Sequence, residues 1–162
     1  MLTVSDTSPI SNLIQIGRLE LLKSLFKNIV IPPYVDQEVQ ALSRFGYNLS
    51  EYENAQWIKI CELDKDVLLN ELEKDLDKGE AAAIVLSKEL GADLLLIDER
   101  LGTKQANVLG LKTIGLLGCL LACKRQGIIH DVMPIVEQLE ETAGFYVGKK
   151  LKHLIRKLSS EI

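Results

Sequence analysis

Four large apolar residues in succession, Leu94-Leu95-Leu96-Ile97, run straight into a pair of acids, Asp98-Glu99. An apolar run without alternation is the pattern of a strand covered on both faces, and such strands belong to parallel sheets flanked by helices. The neighbouring sequence agrees. An Ala-rich helical stretch over residues 80–90 precedes the run and ends at Gly91, a residue suited to the left-handed turn that terminates helices. Another helix is expected over residues 99–109, stopped by Gly110, and residues 112–114 read as a further short strand. Helix, strand, helix and strand joined by short connections is how parallel crossovers are built.

The same alternation holds on both sides of this unit. Residues 2–5 read as a short strand. Ser8 is expected to cap the helix that follows, with Pro9 at its first position. Leu13, Ile16, Leu19, Leu22 and Leu25 carry helical spacing, over two short helices that break near Gly17-Arg18. Ile29-Val30-Ile31 is a compact β-branched run bounded by Pro32-Pro33, and the next helix puts Val35, Val39 and Leu42 on one face. Residues 45–54 read as a polar loop, 57–61 as an edge strand and 67–76 as a helix. Helices follow over 116–126 and 132–141. Lys149, Lys150, Lys152, Arg156 and Lys157 then make a basic amphipathic helix over about 148–160. Read plainly, that helix is a solvated face; read functionally, it is a surface for phosphate or a partner. The expectation is an α/β fold in three layers, α/β/α, with a central parallel sheet of four to five strands. At 162 residues, it is expected to form one domain over 1–162.

Composition narrows the function. Hydrophobic residues make up 47%, which fills a core and excludes a disordered chain. No apolar run reaches the roughly 18–20 residues of a membrane helix. Met1-Leu2-Thr3-Val4-Ser5-Asp6 shows neither the basic region nor the cleavage pattern of an export signal. No membrane association and a cytoplasmic location are therefore expected. Cys61, Cys119 and Cys123 form no CxxC pair and read as free thiols. Cys119 and Cys123, four apart, read as small apolar residues of a buried helix rather than as ligands. His130 and His153 stand alone, which leaves no Cys/His zinc site. The net charge of −4 argues against a protein that coats nucleic acid without specificity. It is compatible with an enzyme whose carboxylates hold cations.

The placement of the acids carries the functional reading. Asp6 directly follows the first strand and Asp98 directly follows the buried run. In open α/β sheets the working crevice lies beyond the carboxyl ends of the strands, so two such acids converge there if their strands are parallel neighbours. Glu38 falls on or beside the apolar face set by Val35 and Leu42, an awkward place for an unpartnered carboxylate. Glu80 lies in the first turn of the Ala-rich helix, where Ala81-Ala82-Ala83 let the backbone pack close to the sheet. Each acid also has a plain structural reading. Asp6 can be a turn residue, and Glu38 can lean on apolar neighbours. Asp77 and Glu80 fit a capping box, and Asp98 can cap the next helix, with Glu99 turned away. Taken together, acids at element ends in a chain without a competing His, Cys or Ser constellation point to a hard-cation site.

These segments resemble the PIN domain superfamily, and within it the DUF3368 group related to toxin nucleases of the VapC type. The likeness lies in Val4-Ser5-Asp6-Thr7-Ser8-Pro9, Ile31-Pro32-Pro33-Tyr34-Val35-Asp36-Gln37-Glu38, Gly79-Glu80-Ala81-Ala82-Ala83-Ile84 and Leu96-Ile97-Asp98-Glu99-Arg100. It continues through Gly110-Leu111-Lys112-Thr113-Ile114-Gly115 and Leu120-Leu121-Ala122-Cys123-Lys124-Arg125-Gln126-Gly127. The resemblance implies a PIN-like sheet between helices and a metal-dependent ribonuclease. Asp6, Glu38, Glu80 and Asp98 stand for the family's four catalytic acids, binding Mg²⁺ or Mn²⁺. Within that implied mechanism Asp6 and Asp98 are expected as direct metal ligands, Glu80 as a direct or water-mediated one, and Glu38 as the orienter of a water. Ser8 or Thr7, Arg100 and Lys104 are expected to contact the RNA substrate. The resemblance also implies a homodimer and, as the toxin of a pair, an antitoxin protein partner.

One position departs from the group. Many relatives carry Arg about five residues after the fourth acid; here Thr103 stands there, with Lys104 beside it. That departure keeps a rival in view, a non-catalytic PIN-like module that binds RNA or protein. A different α/β enzyme fits less well. A haloacid-dehalogenase-like phosphotransferase wants a second Asp two residues after Asp6, where Ser8 stands, and a dinucleotide fold wants GxGxxG after the first strand.

Overall fold

A computed structural model describes residues 1–64 and 67–161. Five short strands, β1 (Thr3–Ser5), β2 (Ile29–Ile31), β3 (Ile58–Ile60), β4 (Leu94–Leu96) and β5 (Thr113–Ile114), form one sheet in the order β3-β2-β1-β4-β5. Every pairing is parallel, with Val4 opposite Val30 on one side of β1 and opposite Leu95 on the other. The chain lays down β1, β2 and β3 outward in one direction, then returns to place β4 and β5 on the other side of β1. The order therefore reverses between β1 and β4.

The period of two along each strand divides the interior between two layers. Val4, Leu95 and Ile97 point to one face, where they pack with Ala81, Ala83, Ile84, Val85 and Leu86. Ile29, Ile31 and Leu96 point to the other, where they meet Ile10, Leu13, Leu22, Leu116 and Leu120. The first face is covered by α5 (Val67–Leu72), α6 (Lys78–Leu90) and α7 (Arg100–Val108). The second is covered by α1 (Thr7–Gln15), α2 (Glu20–Phe26), α8 (Leu116–Arg125) and α9 (Met133–Ala143). The helix α3 (Pro33–Gln40) packs against both α1 and α6. This is the three-layer α/β/α arrangement expected from the apolar runs, with the sheet at five strands.

Both faces of the sheet are apolar because both are covered, which is why β4 reads as an unbroken run. Ala81, Ala82 and Ala83 are fully buried, so α6 lies close against the sheet. It ends, as expected, at Gly91 in the left-handed conformation, with φ of 61°. The strand expected near Trp57 does lie at the sheet edge, as β3.

Three local expectations are corrected. Asp6, not Ser8, occupies the N-cap place of α1, and Pro9 is its third residue rather than its first. The Asp6 N–H is tied to the Leu96 carbonyl at 2.9 Å, so the chain leaves the sheet and turns into helix without a linker. The Ser8 hydroxyl instead accepts a hydrogen bond from Asn12 Nδ2 at 3.1 Å. The stretch read as a polar loop contains a short helix, α4 (Ser50–Glu53). It is held by a tertiary contact, Tyr52 being buried with its hydroxyl donating to Asp36 Oδ1 at 2.7 Å, and by a local one, Asn48 Oδ1 accepting from the Ser50 N–H. The helix expected over 67–76 stops at Leu72 and gives way to turns.

The basic helix, α10 (Lys149–Ser159), is anchored at both ends. Lys152 Nζ pairs with Glu140 at 2.7 Å. Glu161, just beyond the helix, accepts from the Val132 and Met133 N–H groups and from Lys124 Nζ at 2.8–3.0 Å. Among the described residues no helix is long and apolar enough to cross a membrane.

Candidate metal centre

The reversal between β1 and β4 creates a crevice beyond the carboxyl ends of those strands, and the acids gather on its rim. Asp6 follows β1 directly and is only 4% exposed. Burial raises its pKa to about 8, opposed by the Thr7 backbone N–H and reinforced by the charges of Glu80, Asp77 and Glu38. A carboxyl group in this position holds its proton at neutral pH unless a positive charge comes close.

Glu38 reaches the crevice from α3 because Gly79 has no side chain. A Cβ on Gly79 would overlap Glu38 Oε1 and lie 3.3 Å from Thr7 Oγ1. The first turn of α6, the start of α1 and the Glu38 carboxylate thus meet at a single glycine. Glu38 as a residue is exposed, yet desolvation of its carboxyl raises its pKa. The charge of Asp77 adds to the rise, and the Thr7 hydroxyl offsets part of it.

Glu80 and Asp77 realise the capping geometry and the charge cluster together. Asp77 stands at the N-cap of α6 and its Oδ1 accepts from the Glu80 N–H at 2.8 Å. Glu80 is 9% exposed. Burial first, then the charges of Asp77 and Glu99, push its pKa up to about 7. A helix N-terminus favours negative charge, so the cap lowers the cost of setting several carboxyls together without removing it.

Asp98 sits on the other flank, toward β5. Its Oδ1 accepts from the Leu116 N–H at 2.7 Å, so it does cap a helix, α8 rather than the adjacent α7. Here too a glycine admits the carboxylate: a Cβ on Gly115 would stand 2.8 Å from Asp98 Oδ1. Burial raises the Asp98 pKa and the Leu116 N–H lowers it. Among the described residues, Asp98 Oδ2 is buried without a hydrogen-bond partner. Leaving such an atom unpaired costs roughly 1–3 kcal/mol. Glu99 caps α7 through the Gly102 N–H at 2.8 Å, yet its charge still acts on Glu80.

The fold therefore brings Asp6, Glu38 and Glu80 into one electrostatic neighbourhood and adds Asp77, whose sequence position marks it only as a cap. Asp98 is on the same rim, but its pKa is governed by burial and the Leu116 N–H rather than by the other acids. Thr7, not Ser8, has its hydroxyl at the cluster. Arg100 and Lys104 are exposed on α7, and the Thr103 hydroxyl is spent on the Glu99 carbonyl at 2.8 Å. Among the described residues no three His, Cys, Asp or Glu side chains form a ready-made metal cage. The donor chemistry nonetheless fits a hard cation. Mg²⁺ is typically held by one or two carboxylates and keeps several waters, so it needs no closed protein cage. The partnerless Asp98 Oδ2 is a free acceptor for it.

Comparison with known proteins agrees with the fold. Among curated proteins the sequence has no match. Among solved structures it is similar to a PilT N-terminus domain protein, SSO1118, from the hyperthermophilic archaeon Sulfolobus solfataricus P2. The two share 18% identity and a TM-score of 0.54 over 91% of this chain and 98% of that one. At the level of sequence families, residues 2–161 match DUF3368, described as a PIN domain. With nearly the whole chain matched and the sheet order and layers in place, the protein belongs to the DUF3368 family of PIN domains.

Proposed function

We propose that this PIN domain is a divalent-metal-dependent endoribonuclease that hydrolyses RNA phosphodiester bonds at the crevice beyond β1 and β4. One observation carries the reading. Asp6, Glu38 and Glu80 come from three elements distant in sequence, and all are held at one place at raised pKa. Carboxyls crowded in this way are costly to a fold that does nothing with them, and a bound cation reverses the cost. PIN domains commonly have nuclease activity, which supports the assignment.

Asp6, Glu80 and Asp98 are the residues that would hold Mg²⁺ or Mn²⁺. When bound, the ion lowers the pKa of an attacking water and offsets charge on the phosphate and the leaving oxygen. Glu38, set against Gly79 and the Thr7 hydroxyl, is placed to orient that water. Asp77 holds the first turn of α6 so that Glu80 faces the crevice. Lys104 and Arg100, exposed on α7, supply positive charge for the RNA backbone in the absence of an Arg at 103. The family resemblance extends the reading to a toxin that works as a cytoplasmic homodimer and is restrained by an antitoxin protein.

The observations that favour the second reading, a non-catalytic RNA- or protein-binding module, are the lack of a ready-made cage among the described residues and Thr103. Cleavage of a fluorogenic single-stranded RNA in Mn²⁺ and in EDTA separates them. We expect turnover only with metal, and a loss of more than about 100-fold in Asp6→Asn, since even residues behind metal ligands cost roughly 10–100-fold. RNA binding without metal-dependent turnover in the wild type would establish the second reading instead.

A further inference from the structure

A cavity of about 360 Å³ is lined by Pro33, Tyr34, Glu62, Leu63, Leu69, Asn70 and Glu73, and Tyr34 and its neighbour Lys78 connect it to the acid cluster. Tyr34 joins the two. It precedes Glu38 by four residues on α3, so the pair shares one helix face about 6 Å apart along the axis. Tyr34 is 37% exposed, and its ring carries the Lys78 ammonium 5.5 Å from the ring centroid. Lys78 is in turn the neighbour of Gly79, against which the Glu38 carboxylate rests. Among the described residues no carboxylate pairs with Lys78 at ion-pair distance, and the ammonium lies over the ring instead.

We propose that this cavity receives a nucleobase of single-stranded RNA next to the bond being cut, with Tyr34 as stacking platform and Lys78 as contact to the adjoining phosphate. The assignment rests on the nuclease reading above. The cavity has the parts such a subsite needs: an aromatic wall, apolar sides from Pro33, Leu63 and Leu69, and a side-chain amide, Asn70, for the base edge. Its charges sort the substrate. Glu62 and Glu73 repel phosphate from the interior and accept hydrogen bonds from base amino groups, while the cation stands at the rim on the side of the acids. The base is thereby drawn inward and the backbone kept toward the crevice.

The test is fluorescence anisotropy of a labelled 12-nucleotide single-stranded RNA with the full chain in EDTA, where no metal-dependent cleavage occurs, beside KM and kcat for cleavage in Mn²⁺. We expect Tyr34→Ala to weaken binding about 5- to 150-fold, the range of base stacking on an aromatic ring, and Tyr34→Phe to bind within about twofold of wild type. The Ala variant should raise KM more than it lowers kcat. An abasic oligomer of equal length should bind wild type as weakly as the full RNA binds Tyr34→Ala. Lys78→Ala, on an exposed first helical turn, should reduce the salt dependence of binding by about one ion. Equal affinity of wild type and Tyr34→Ala, equal loss in Tyr34→Phe, or no binding by the wild type would overturn the proposal. The two readings fail separately. Tyr34-dependent binding without cleavage would keep the base subsite and remove the nuclease, whereas Asp6-dependent cleavage with Tyr34-independent affinity would remove only the subsite.

Discussion

Asp6 shows how a single side chain can tie stability to function. Its folded pKa of about 8 stands above the ordinary 3.8, chiefly because it is buried. The folded state therefore retains a proton that the unfolded chain releases. Stability falls as pH rises from about 4 toward 8, because the unfolded state binds fewer protons throughout that window. Without metal, Asp6→Asn should be more stable than wild type at pH 8, on the order of 1–4 kcal/mol. The advantage should shrink toward pH 4, as urea titrations at several pH values will show. A variant less stable than wild type at pH 8 would mean that the Asp6 charge is compensated within the protein. The same protons must leave Asp6 and Glu80 when a cation binds, so metal affinity should climb between about pH 6 and 9.

Gly79 makes a second residue-scale prediction. In Gly79→Ala the new Cβ takes the place of Glu38 Oε1, so the carboxylate must swing away. Alanine favours the helix by about 1 kcal/mol, which offsets the local strain. Nuclease activity should fall at least about 10-fold while the melting temperature stays within a few degrees, because the change displaces a site residue and leaves the core intact. Unchanged activity would remove Glu38 from the mechanism. The sequence showed Glu38 as an acid beside an apolar face, but not the glycine that admits it, since that contact joins helices some 40 residues apart. Asp77 was visible only as a cap for the same reason: its second role depends on Asp6 and Glu38 arriving from elsewhere.

At the scale of elements, most of the fold was legible because each strand and helix carries its own period or punctuation. The run at β4, the β-branched β2 and the glycine after α6 are local signals, and each agrees with the structure. The failures occur where tertiary contacts decide. The helix α4 forms in a stretch of polar sequence because Tyr52 is buried and bonded to Asp36. The start of α1 shifts to Thr7 because Asp6 is pinned to β4. The latch of α10 was invisible for the same reason, although it is strong. Partial burial alone would raise the pKa of Glu161, but the Met133 and Val132 N–H groups and Lys124 hold it down at about 2. Its contribution is complete above the ordinary 4.5 and is lost as pH falls toward 2. Glu161→Gln should cost about 1 kcal/mol at pH 7, as for the loss of a helix cap, and the difference should vanish near pH 2. Thermal melts of the two proteins across this range measure it, and a constant difference would assign the effect to packing rather than charge.

At the scale of the whole molecule, the strand order explains why so small a sheet offers a site at all. Reversal between β1 and β4 leaves a crevice, and Asp6, directly after β1, and Asp98, two residues past the end of β4, stand on its rim. The sequence could place each acid at a strand end, but adjacency of the strands, and hence convergence, is a property of the topology. This rim is the proposed cation site. The most direct test is the melting temperature of the wild type and Asp6→Asn at pH 8, each with EDTA and with millimolar Mn²⁺. At a hundredfold excess over its dissociation constant, a ligand of the folded state stabilises it by about 2.7 kcal/mol. For a chain of this size that is roughly 5–10 °C. Such a rise is expected for the wild type, and its loss in Asp6→Asn; equal melting temperatures with and without Mn²⁺ in the wild type would contradict a cation site here.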